Sequence, residues 1–160
     1  MATLILAVCG LAGCGGSSAP TANQHWQTVA GTGLTFQAPA GWKVERAQSR
    51  VTVTHGSELV QVATFPLTKR YTDKLFGPVV TELRSRMQDI ARQTGGKLSA
   101  GPTVTVDGVR SHSYDVTAGS QEDEYTFFFS GKREYLLLCR RKSSSGPDFC
   151  GRLVTSFARR

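Results

Sequence analysis

The chain has 160 residues, of which 39% are hydrophobic and 19% charged. That is enough apolar content for one core and too short a chain for two compact domains, so a wholly disordered protein is excluded. Lys and Arg number 19 against 12 Asp and Glu, a formal net charge of +7 that by itself names neither a reaction nor a ligand.

Residues 1–13 carry no charged side chain, and Leu4 to Val8 form a short apolar run. Leu11-Ala12-Gly13-Cys14 follows: one apolar residue, two small ones and a cysteine. The run is far below the roughly 20 apolar residues of a membrane span, and no later segment reaches that length. Gly15, Gly16, Ser17, Ser18, Ala19 and Pro20 have the composition of a flexible tether. The segment resembles a bacterial lipoprotein signal peptide, although Met1-Ala2-Thr3 lacks the basic residue of a usual n-region. The resemblance implies a diacylglyceryl group on the Cys14 thiol and cleavage just before it. The mature protein would then be lipid-anchored to the outer face of the cytoplasmic membrane or another envelope membrane, without crossing it. The expected organisation is a signal peptide over 1–13, a tether over 14–30 and a single domain over 31–160.

Cysteine usage agrees with export. On that resemblance Cys9 would fall in the discarded segment and Cys14 would take the lipid, which leaves Cys139 and Cys150. Their spacing in an exported domain predicts one disulfide, with two buried free thiols as the alternative. A zinc site needs three or four ligands, and His25, His55 and His112 show no ligand spacing.

Beyond the tether, Leu34-Thr35-Phe36-Gln37-Ala38 alternates and stops at Pro39, which predicts a short strand. Trp42 to Glu45, Val51 to Thr54 and Leu59 to Phe65 alternate in the same way. The period then changes to steps of three and four at Val79, Val80, Leu83, Met87, Ile90 and Ala91, an amphipathic helix. Pro78 belongs in its first turn, so the helix should start near Gly77, and Gly95-Gly96 should end it. Strands are predicted over Leu98 to Val106 and Val109 to Ala118, joined by the hairpin pair Asp107-Gly108. Two more follow at Glu124 to Ser130 and Arg133 to Lys142. Leu136-Leu137-Leu138 is apolar on both faces, which marks a central strand covered on each side. After the Ser/Gly/Pro loop, Phe149, Cys150, Leu153, Val154 and Phe157 form a second helical stripe, with Arg159-Arg160 placed at its C-terminal end.

Four strands, a helix, four strands and a helix define an α+β fold with an antiparallel sheet. The stretch Gly33-Leu34-Thr35-Phe36-Gln37-Ala38-Pro39-Ala40-Gly41-Trp42, the long helix after the first strands, and the terminal Ser156-Phe157 resemble PsbP-like and Mog-like domains. The resemblance implies an antiparallel sheet sandwiched between a long central helix and a short C-terminal helix. It carries over no catalytic residues.

No Gly-x-Ser-x-Gly elbow or phosphate-binding loop is present. His112 and Asp115, three apart on a strand, should face opposite sides. Glu122-Asp123-Glu124 reads as a solvated hairpin end. Lys132, Arg133, Arg140, Arg141, Lys142, Arg159 and Arg160 are the candidate basic surface, expected at one end of the domain and suited to anionic lipid head groups or cell-wall polymers, not to nucleic acid. No cofactor is expected. The reading is a lipid-anchored envelope protein acting as a non-enzymatic binding or accessory module. The alternatives are a carrier of an apolar molecule in a pocket lined by Phe76, Met87, Tyr125, Phe127 and Phe129, or an unrecognised extracytoplasmic hydrolase.

Overall fold

A computed structural model describes residues 25–142 and 148–160. The signal segment 1–13, Cys14, most of the expected tether and the loop 143–147 lie outside the described residues. The alternating runs form strands: β1 (Trp26–Gly31), β2 (Leu34–Pro39), β3 (Lys43–Ala47), β4 (Arg50–His55) and β5 (Glu58–Pro66). A helix, α1 (Phe76–Gln93), separates them from β6 (Lys97–Val106), β7 (Val109–Ala118), β8 (Gln121–Ser130) and β9 (Arg133–Lys142). The short helix α2 (Phe149–Ser156) and a two-residue strand β10 (Ala158–Arg159) end the chain.

The strands make a seven-stranded sheet in the order β3-β4-β5-β9-β8-β7-β6 and a three-stranded sheet in the order β1-β2-β10, all pairs antiparallel. β9 lies between β5 and β8 and separates two cores. On one face Leu83, Met87 and Ala91 of α1, spaced by four residues, pack on Tyr114, Val116, Tyr125 and Phe127. Leu136 and Leu138 of β9 join that side. On the other face Leu137 and Cys139 of β9 meet Phe36 of β2, Phe149 and Leu153 of α2, and Phe128 of β8. The one-residue alternation of β8 thus sends Phe127 to α1 and Phe128 to the opposite core. Phe128 is fully buried, stacked on Tyr135 at 4.5 Å and meeting Phe157 edge-on at 5.2 Å.

Local signals explain the boundaries. The Gly95 and Gly96 amides bond the Arg92 and Ala91 carbonyls and close α1 in a Schellman turn, with Gly95 at φ 65°. Asp107 and Gly108 both take positive φ, 47° and 76°, the two-residue turn that matches strand twist. Asp148 caps α2 by accepting the Gly151 amide at 2.7 Å. The exposed edges of the large sheet are blunted, since β3 is short and carries Lys43, Glu45 and Arg46 while β6 is interrupted by a register shift between Ala100 and Thr103, at Pro102.

Three expectations are corrected. Trp26–Gly31 is not tether: it is β1, paired along its length with β2. Glu122-Asp123-Glu124 does not precede a strand but lies within β8, opposite Arg141, Arg140 and Cys139. Arg159 does not extend the last helix, because the chain turns extended at Phe157 and β10 pairs with Thr35 and Leu34 of β2. β1 and β10 have weak patterns of their own and owe their strand form to β2.

Cys139 and Cys150 are bonded, with their Cα atoms 5.4 Å apart, and tie the start of α2 to β9. A helix this short has little stability alone. Closing an eleven-residue separation contributes about 3 kcal/mol in the chain-entropy account. The double variant Cys139→Ala/Cys150→Ala should therefore unfold at clearly lower urea concentration, by about that free energy. An unchanged midpoint would mean that packing of α2 alone suffices.

Candidate functional site

The antiparallel ladder gives the large sheet two ends, about 30 Å apart along ten-residue β9. At one end lie the tips of the β6–β7 and β8–β9 hairpins, with the Leu67–Leu75 segment and β10 held against them. The Leu67 and Tyr71 amides bond the Lys132 and Gly131 carbonyls at 2.9 and 2.8 Å. The Arg160 amide bonds the Gly33 carbonyl at 3.0 Å. Arg159 binds the Asp107 carboxylate and the Ser130 hydroxyl, and its Nη2 donates to the Asp107 carbonyl at 3.0 Å.

Three open grooves surround the β8–β9 tip. The first, about 730 Å³, is lined by Tyr71, Asp73, Lys74, Phe76, Arg110 and Phe129 among others. Tyr71 stacks on Phe129 at 5.2 Å, and the Arg110 guanidinium sits 3.6 Å over the Phe76 ring. The second, about 480 Å³, holds Arg133, Arg159 and Arg160 with Asp107, Tyr135, Thr32 and Thr64. The third, about 550 Å³, holds Lys132, Arg133, Ser49 and Ser130. Ser130 is common to the first and third grooves, and Arg133 to the second and third. Together they present six cationic side chains against two carboxylates, and Arg159 already binds one of the two.

The opposite end is different. Arg140 binds Asp123 with two hydrogen bonds of 2.8 Å, and Arg141 binds Glu122 at 3.0 Å. A cleft on the α2 face brings Asp115, Glu122, Glu124 and Asp148 around Arg141. Burial raises the carboxyl pKa of Glu124, with Asp115 and Asp148 adding to it and Arg141 opposing. Burial and Glu122 raise Asp115 in the same sense. Among the described residues no group of three His, Cys, Asp or Glu side chains is placed to hold a metal ion.

The seven basic residues singled out in the sequence therefore do not form one surface. Lys132, Arg133, Arg159 and Arg160 meet at the first end, joined by Lys74 and Arg110, which sequence order does not link to them. Arg140, Arg141 and Lys142 lie a strand length away, with both guanidiniums engaged by β8 carboxylates. Of the residues proposed for an apolar pocket, Met87, Tyr125 and Phe127 are buried in the α1 core, Phe129 packs against that core and lines the first groove, and Phe76 lines the groove alone. His112 points to the α1 side, where it meets Tyr114 edge-on at 4.8 Å and has its pKa lowered by burial and by Arg84. Asp115 lies on the opposite face. Cys14 lies outside the described residues.

A mostly antiparallel structure with two helices in this order has a PsbP-like fold. The chain is similar to the solution structure of cyanobacterial PsbP (CyanoP) from Synechocystis sp. PCC 6803, with a TM-score of 0.60 and 16% identity, over 97% of this chain and 99% of that one. It is also similar to a crystal structure from Bacteroides thetaiotaomicron VPI-5482, with a TM-score of 0.52 and 8% identity, over 84% of this chain. There it spans about half of the other protein, 48% of its length. No family profile and no curated protein sequence matches the chain. At these identities the likeness concerns the fold alone. Among the described residues no helix is long and apolar enough to cross a membrane.

The acidic cleft has a pH signature. The raised carboxyls bind protons more tightly in the folded state, so they oppose folding at neutral pH, less so as pH falls below their folded pKa, and not at all well below the unfolded value. Glu124→Gln should raise the unfolding temperature at pH 7, and the gain should vanish near pH 3, where both states carry a protonated glutamate. A gain that persists unchanged at about pH 3 would assign the effect to packing instead.

Proposed function

We propose that the protein is an exported, lipid-anchored component of the cell envelope that acts by binding and catalyses no reaction, in the manner of PsbP-like lipoproteins. One observation carries the reading: β1 enters the domain at the acidic end, and the open basic grooves lie at the other. The Ala40 amide bonds the His25 carbonyl at 2.8 Å, and the nearby Trp42 stacks on His55 in the β4–β5 turn. An anchor at Cys14 would hold that end, leaving the basic end to meet a partner. The Cys139–Cys150 bridge fits an oxidising compartment outside the cytoplasm.

The rival readings find less support. A carrier needs an apolar pocket between sheet and helix, where Met87, Tyr125 and Phe127 instead fill a packed core. A hydrolase needs a nucleophile and a base that converge, and His112 and Asp115 diverge across the sheet.

Cys14→Ala should move the protein from the membrane fraction to the soluble one or leave an unprocessed precursor, and should abolish labelling by a palmitate analogue. Labelling that persists in this variant would overturn the anchor.

A further inference from the structure

We infer that the basic end binds a linear phosphodiester-linked polymer of the envelope, threaded around the β8–β9 tip, and does not bind a membrane surface. The inference rests on the reading of the protein as an anchored binding module and names its partner.

The shape of the end is the first reason. Its cations do not lie on a flat face. Lys74 and Arg110 line the first groove, Arg133, Arg159 and Arg160 the second, and Lys132 and Arg133 the third. The Ser130–Arg133 tip stands between the first groove and the other two. A narrow, flexible chain bearing a charge every few ångströms can enter all three, since the grooves run into one another at Ser130 and Arg133.

The chemistry of the lining is the second. Lys132, Arg133 and Arg160 have no ion-pair partner among the described residues, and both arginines are exposed for contact. Guanidinium forks match phosphate oxygens in pairs of hydrogen bonds. The hydroxyls of Thr32, Ser49 and Ser130 stand beside them as further donors. The two carboxylates present do not cancel this field, because Asp107 is bound by Arg159 and Asp73 shares its groove with both Lys74 and Arg110.

The attachment point is the third. Eleven residue steps join Cys14 to His25, a reach of at most about 36–40 Å. Thr32, seven residues on from His25 at the far end of β1, lines two of the grooves, so they lie up to about 23 Å beyond His25. With the anchor on the His25 side the grooves face away from the membrane, where a polymer lies, and bringing them to the membrane would require inverting the domain.

The full lipidated chain should be placed in nanodiscs of neutral phosphatidylcholine and titrated with fluorescent poly(glycerol phosphate). Binding should weaken steeply with salt, as released counterions demand. Arg133→Gln/Arg160→Gln should weaken it at least fivefold. Lys43→Gln/Lys97→Gln, which removes the same charge from elsewhere, should change it less than twofold. Equal losses in the two double variants would reduce the effect to net charge and overturn the site. Tighter binding to phosphatidylglycerol vesicles, or equal binding to poly-glutamate, would overturn the choice of partner. Failure of the chain to enter nanodiscs would refute the anchor alone, since the same titration in detergent still reads the grooves.

Discussion

Leu136, Leu137 and Leu138 occupy three successive positions of β9, so that strand carries apolar side chains on both faces, Leu137 buried in one core and Leu136 and Leu138 half-buried beside the other. Both sides must be covered. Strands β5 and β8 flank it, α1 and its stripe cover the neighbouring strands on one face, and α2 with the small sheet covers the other. The covers do not reach the ends of the ten-residue strands. Hairpin tips project past the apolar layers there, and charge collects on them. The position of the grooves thus follows from how far two layers of cover extend along one strand.

Features set by local pattern were readable in the sequence. The alternation over Leu34–Ala38 and Leu59–Phe65, the four-residue stripe of α1 and the Asp107-Gly108 turn each depend on neighbours a few residues away. The cysteine pair was readable because a separation of 11 residues lets a strand end and the following helix meet in a bridge. Features set by distant partners were not. Trp26–Gly31 buries only Val29 fully, and its strand form comes from pairing with β2. Arg159 and Arg160 resemble helix-end cations until β2 offers them an edge.

The basic surface illustrates the same limit. Arg140-Arg141-Lys142 and Lys132-Arg133 are close in sequence, yet a strand carries its two ends far apart. What neutralises the first group is the acidic run of β8, brought opposite by the register of the hairpin. Cross-strand pairing turns two runs of like charge into ion pairs with a structural role, which is the sheet counterpart of spacing by four on a helix. Lys74 and Arg110 joined the other end by the reverse route, since nothing in their neighbourhood in sequence marks them.

The small sheet joins the two termini of the domain. The Gln37 amide donates to the Ser156 hydroxyl at 2.8 Å across a separation of 119 residues, and β10 pairs with β2. A chain that emerges from a ribosome or a translocon N-terminus first presents β1 and β2 long before α2 and β10 exist. During that interval Phe36 has no Leu153 or Phe157 to cover it, and one edge of β2 stays open. Contacts of such range slow folding and leave apolar edges exposed to other chains. A chain of this topology therefore gains from a holding chaperone until Phe149–Arg159 have arrived and closed the small sheet.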